Sequence, residues 1–248
     1  MTHLERDSYE LEFDGTLESS WLPFYLPHWS RRELTAARVS FDPLELRIDD
    51  DQLPWSEEYN GPLRVSNLQT GVFSGPAGSA VGQHHFRDDL VVHEFQSAER
   101  IYTPQYGLDE ARIKAIPDHN CMVALWLIGF EASPTESGEL CVFEIFGREL
   151  SADGGIVGMG IHPFGDPDLV EEFAKLEVAG DLTDWHTYSA EWMPGLTRFF
   201  IDDLLVHEVA QAPAYPLQLM LNVYEFEPGG EYPKRFPVRN IRGYRHRS

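Results

Sequence analysis

The feature that most restricts this chain is its punctuation. Short apolar and aromatic runs recur along it, separated by Gly, Pro, Asp and Asn: "PLRVSNLQTGVFSG", "MVALWLIGF", "ELCVFEIFG", "WHTYSAEWM", "PLQLMLNVYEF". Many alternate with period two. In "EARIKAI", Ala111, Ile113 and Ala115 alternate with Arg112 and Lys114, the pattern of a strand with one buried face. In "RFFIDDLLVHEV", Asp202-Asp203 separates two short strands as a hairpin turn would. No internal repeat or low-complexity linker divides the chain. The 6 Trp, 10 Tyr and 15 Phe suit half-buried pleated strands. Together these features predict an all-β fold, a sandwich or barrel in one domain over 1–248, ample to bury a large core. "DPDLVEEFAKLEV" departs from the pattern. Leu169, Val170, Phe173, Leu176 and Val178 fall near helical spacing, which predicts a short helix or ordered loop of about 8 residues. The proline-rich stretch from Arg31 to Tyr59 reads as loops carrying edge strands.

Charge narrows the partners. There are 41 acidic against 19 basic residues, so the formal charge is 19 − 41 = −22. Such a surface repels phosphate backbones and anionic bilayers, which argues against nucleic acid and membrane as partners. The two cysteines, Cys121 and Cys141, sit in no CxxC or Cys/His cluster, so neither a zinc site nor a disulfide framework is expected. No apolar run reaches the ~18 residues of a membrane span. "MTHLERDSYE" has no basic start followed by an apolar stretch, so the chain as it stands reads as cytoplasmic. A secreted chain that had lost its leader would begin the same way.

The stretch "GELCVFEIFG", Gly138–Gly147, carries Glu139 and Glu144 in an otherwise apolar run. On a regular strand an odd separation places them on opposite faces, and whichever face meets the core buries a carboxylate at a cost of several kcal/mol. One bulge at Val142-Phe143 shifts the phase. Glu139, Cys141 and Glu144 then share one face; Leu140, one of Val142 or Phe143, and Ile145 share the other. Two carboxylates on one concave face are what glycoside hydrolysis requires, one as nucleophile or base and one as acid. Their Cα atoms would lie roughly 13 Å apart on a flat strand, which long side chains on a curved sheet can close. Two solvated surface glutamates remain the alternative reading of the spacing alone.

The same stretch resembles the signature of glycoside hydrolase family 16, the laminarinase and lichenase group: Glu-x-Asp-x-x-Glu on a bulged strand, usually preceded by Gly. Both glutamates and the Gly are present, and Cys141 stands where the family has Asp. Other stretches resemble family segments in the right order: "EFDGTLESSW" at Glu12–Trp21, "FSG" at Phe73–Gly75, "YGLDEARIKA" at Tyr106–Ala115, "ALW" at Ala124–Trp126, Trp185–Val209, Pro216–Val223 and Val238–Arg245. The resemblance covers nearly the whole chain. It implies a concanavalin A-like β-jelly-roll with a concave glycan-binding cleft. It implies a retaining endo-glycosidase of a polysaccharide, with a β-1,3-glucan as the expected substrate. Glu139 would be the nucleophile and Glu144 the acid/base, with Glu144 held protonated near neutrality by a raised pKa. The family's central Asp hydrogen-bonds the nucleophile. Cys141 is a weaker, neutral donor, and with less charge repulsion both glutamates should titrate lower than in a three-acid site. The substitution leaves three readings: an active enzyme with an altered pH profile, a weak or specialised enzyme, or a carbohydrate-binding relative without turnover.

The resemblance also points to four substrate-binding candidates. Trp126 is a sugar-stacking platform or a core residue. His162, in "GMGIHPFGDP", lies near the leaving group or is a loop histidine satisfied by backbone. Asn222 binds a sugar hydroxyl or caps a loop, and Tyr224 shares its face. No metal or other cofactor is expected. His84 and His85, adjacent on a strand, would point apart and cannot share an ion. Some family members bind structural Ca²⁺, but "IDDD" at Ile48–Asp51 lacks a calcium-loop spacing and reads as a solvated acidic turn.

Overall fold

A computed structural model describes residues 2–247. Two antiparallel sheets pack face to face, as the alternating runs require. One sheet, of seven strands, is ordered across its width 150–151, 154–162, 139–146, 121–129, 217–225 and 64–69, with 172–179 also paired to 154–162. The other, of eight, runs 204–209, 196–201, 186–193, 107–113, 234–246, 44–48 and 38–41, with 9–14 paired to 234–246. This is the expected jelly-roll sandwich. The core between the sheets takes alternate residues from each: Val123, Leu125, Leu127, Leu140 and Ile145 from one; Ala111, Ile113, Tyr188, Ala190 and Phe199 from the other.

The strand Cys121–Gly129 is buried at every position, unlike a sandwich strand with one wet face. Val123, Leu125 and Leu127 enter the main core. Its even residues, Met122, Ala124, Trp126 and Ile128, enter a second apolar cluster with Tyr25, Leu26, Trp29, Trp55, Tyr59, Leu90 and Val92. The segments around residues 21–63 and 83–93 therefore fold over the outer face of the seven-stranded sheet. A strand covered on both sides needs the continuous apolar run "MVALWLIGF". The cover stops short of the strands 139–146 and 154–162, where the outer face opens.

Between Arg31 and Tyr59 the chain is mostly loops, with one edge strand, 38–41, as read from sequence; 44–48 pairs on both sides, and the one-turn helices Arg32–Thr35 and Glu57–Asn60 lie outside that reading. The turn at Asp202-Asp203 joins its two strands with both residues at positive φ, 48° and 66°, as a type I′ hairpin needs. The expected helix near Leu169–Val178 does not form. Glu172–Ala179 is an edge strand paired along the whole of Gly154–Ile161. Ala174, Leu176 and Val178 alternate with exposed Lys175, Glu177 and Ala179, and the sheet edge rewards that period-two pattern over the coincidental spacing of Phe173 and Leu176. At the acidic turn, Arg38 lies 3.7 Å from Asp49 and 3.4 Å from Asp51, and Arg47 3.3 Å from Asp49.

Candidate active site

The bulge lies where the acid spacing places it. On one side Trp126 pairs with Cys141 and Leu125 with Phe143; on the other, Gly160 pairs with Cys141 and Gly158 with Glu144. Val142 is the extra residue. Both Val142 and Phe143 enter the core, rather than one of them, and Leu140 and Ile145 join them. Glu139, Cys141 and Glu144 are left on the opposite face, with one carboxylate oxygen of each acid and the Cys141 Sγ all within 4.8 Å of one another. Gly138 belongs to the arrangement. Its N–H donates to the Tyr215 hydroxyl at 2.7 Å, which donates to Asp166 at 2.6 Å, and a Cβ there would collide with Leu169 and Tyr215.

Glu139 and Glu144 line a cleft of about 220 Å³ with Tyr25, His84, Trp126, His162, Phe164 and Tyr224. Glu139 is 6% exposed, and Cys141 not at all. Burial raises the pKa of Glu139 well above the ordinary carboxylate value, with Glu144 and Glu171 adding to it. Burial also raises Glu144, against the pull of His162 and Lys175. The buried thiol of Cys141 is pushed up by burial and by both glutamates, so it is neutral at physiological pH. The trio could supply metal ligands only if deprotonated, and burial opposes that for all three. Among the described residues no side chain donates a hydrogen bond to the Glu139 carboxyl, Cys141 included.

The structure brings three of the four substrate-binding candidates to this cleft. Trp126 lines it, its ring 5.2 Å from that of His84. His162 pairs across the strands with Glu139, stacks on Phe173 at 4.6 Å, and holds Glu171 at 2.8 Å. Tyr224 lines the wall and donates to the Tyr25 hydroxyl at 3.3 Å. Asn222 does not reach the cleft. It is fully buried behind Trp126, accepting from the indole Nε1 at 3.0 Å and donating to Asn67 Oδ1 at 2.9 Å. The next strand's cover, rather than solvent, meets its amide. Its role is therefore to fix the Trp126 ring. Asn222→Ala should leave a buried indole N–H unpaired and cost about 1–3 kcal/mol, read by urea denaturation. A loss under about 0.5 kcal/mol would show that the bond contributes little.

Sequence reasoning missed Tyr25, His84 and Phe164 in the cleft wall. His84 and His85 do not lie on a strand; His84 has φ 53° in a loop. The two rings still diverge, His84 towards Trp126 and Phe164, His85 towards Trp29. Burial lowers the His84 pKa to about 3, with His28 and His162 adding to it, so the ring is neutral. The "HH" pair was the available signal, but nothing local showed that the loop folds over the sheet.

Comparisons with known proteins bear on the fold and the family. No curated protein matches the sequence. Solved structures do match in fold. The GlcNAcα1-4Gal releasing endo-β-galactosidase of Clostridium perfringens superposes with a TM-score of 0.85 at 24% identity, over 99% of this chain. The chain spans 64% of that protein's length. Laminarinase from Flavobacterium sp. UMI-01 matches at 0.63 and 16% identity, over 95% of this chain and 100% of the other. The endo-1,3-β-glucanase (laminarinase) catalytic domain of Thermotoga petrophila RKU-1 matches at 0.54 and 17%, over 97% and 99%. The model of glycosyl hydrolases family 16 matches residues 89–231, more than half of the chain and the whole of the bulged strand. On that match, the chain belongs to glycosyl hydrolases family 16.

Proposed function

We propose that the protein is a retaining endo-glycosidase in which Glu139 is the nucleophile and Glu144 the acid/base. The observation that carries this reading is the close approach of the two carboxyls, within 4.8 Å. Retaining enzymes hold theirs roughly 5–5.5 Å apart; inverting enzymes need about 6.5–9.5 Å to admit a water. Glu139 attacks the anomeric carbon as Glu144 protonates the departing oxygen. Water then enters, Glu144 takes its proton, and the glycosyl-enzyme ester is hydrolysed. Burial raises both carboxyl pKa values and so favours a shared proton on the pair; the mechanism requires that proton on Glu144 when Glu139 attacks.

For the substrate, a β-galactoside-containing glycan is favoured over the β-1,3-glucan expected from sequence. The support is the TM-score of 0.85 with the endo-β-galactosidase, against 0.54 and 0.63 with the laminarinases. The test is reducing-sugar release and product NMR on a panel of β-galactosides, laminarin and lichenan. Cleavage with retained anomeric configuration is expected on the galactosides. Inverted product would refute the mechanism, and cleavage of laminarin alone would refute the substrate. Binding without any cleavage would make the protein a carbohydrate-binding relative.

Cys141→Asp tests the departure from the family pattern. An Asp there adds a third carboxyl to the buried pair, and charge repulsion raises the pKa of the nucleophile above its value beside a neutral thiol. The acid limb of kcat/KM follows that ionisation, so it should move about one pH unit higher. A profile that does not move, or an inactive variant, would show that the thiol is not a mere stand-in for the acid.

A further inference from the structure

Phe164 also lines a second, larger cavity. It holds about 550 Å³, within the roughly 300–1,000 Å³ of small-molecule sites. Phe164 stands 46% exposed, its ring 5.0 Å from that of His84. The cavity lies off the Glu139 end of the bulged strand, since Ser137 is in its wall. Most of that wall is apolar: Phe73, Val81, Phe86, Pro134 and Phe164.

One buried acid is set into it. Glu131 is 6% exposed, sits at φ 58° and has no part in the proposed chemistry. Its Oε1 accepts the backbone N–H of His84. Burial raises its pKa to about 8. With Oε1 committed as an acceptor, the proton of the neutral acid belongs on Oε2, which no described residue engages. Ser137 Oγ accepts the N–H of Gly165 at 2.9 Å, so its own O–H is also free to donate. The cavity thus offers two neutral donors among apolar walls. A ligand that fits brings a strong neutral acceptor and a small apolar group together. A 2-acetamido substituent does so, its carbonyl taking the donor and its methyl the wall. The Asp88 carboxylate at the rim disfavours anionic sugars.

We propose that this cavity is a subsite for an N-acetylhexosamine unit of the substrate, with Glu131 donating to its acetamido carbonyl. This rests on the glycosidase reading for its biological meaning, but its test does not need turnover. The probes are N,N′-diacetylchitobiose and cellobiose, which share a β-1,4 glucosyl backbone and differ in the 2-acetamido groups. Calorimetric binding is measured on Glu139→Gln protein, which cannot consume a ligand. The acetamido sugar should bind at least about tenfold more tightly, the scale of one good hydrogen bond plus a buried methyl. Val81→Trp, made at an exposed wall position, should remove that preference by filling the cavity, with an unchanged melting transition. Glu131→Ala should also remove it. Glu131→Gln, whose amide still donates, should keep the preference within about threefold. Equal affinity for the two sugars, or a preference untouched by Val81→Trp, would overturn the proposal. If wild-type protein cleaves no glycan yet the preference holds, the glycosidase reading fails and the subsite stands. Cleavage without any preference does the reverse.

Discussion

Glu139→Gln should lose turnover by on the order of 10⁴-fold or more while keeping the fold, because an amide of the same shape cannot form the glycosyl ester. The loss should fall on kcat, measured on whichever glycan the wild-type cleaves. The variant should also be more stable than wild type, in a pH-dependent way. The folded-state pKa of Glu139 is raised above its ordinary 4.5 by burial and by Glu144 and Glu171. A raised carboxyl pKa means the folded protein holds its proton longer than the unfolded chain does. Stability from that proton is intact below about pH 4.5 and is lost as pH rises towards the folded-state pKa. Gln has no charge to bury, so its advantage should be near zero at pH 4 and grow towards pH 8. Melting temperatures at the two pH values check this. Retained turnover would remove Glu139 as nucleophile. An equal difference at both pH values would mean that the carboxyl is not desolvated as the structure places it.

Deleting Val142 should have the second-largest effect, and it separates fold from chemistry. Val142 is the extra residue of the bulge, so its removal restores a regular ladder: Glu139, Cys141 and Glu144 stay outward, Leu140, Phe143 and Ile145 inward. The sandwich should survive. The cost is one buried valine, about 1.5–3 kcal/mol, or a fall of about 3–12 °C in Tm for a chain of this size. The local twist of the bulge disappears with it, and with it the angle between the two carboxyls. A displacement of about 1 Å between reacting groups costs on the order of 10²-fold. A folded protein with kcat down about a hundredfold is expected. Unaltered kcat would show that the bulge serves only to sort the residues between faces. Failure to fold at all would show that the bulge is needed for the sandwich itself.

The bulge also shows how far sequence alone could reach. Glu139 and Glu144 are five apart among apolar residues, and burial of either is costly. That conflict has one inexpensive resolution, so the local spacing alone determines the phase slip. The hairpin at Asp202-Asp203 was legible for the same reason, since its backbone requirement sits in adjacent residues. Glu172–Ala179 was misread because a short apolar pattern satisfies both periods until a neighbouring strand chooses one.

What the sequence determined by itself is whatever depends on near neighbours along the chain: strand alternation, the tight turn, the two acids on one face, and the order of segments that marks the family. Tertiary structure decided what depends on distant segments meeting. It placed the 21–63 and 83–93 segments over the outer face, so that Trp126 lines a narrow cleft and Asn222 is sealed behind it. It set His84 and Phe164 beside the reacting pair, and Glu131 in the neighbouring cavity, from loops with no periodicity to read. It raised the carboxyl pKa values, since desolvation is a property of the whole enclosure and not of the residues that bear the charge.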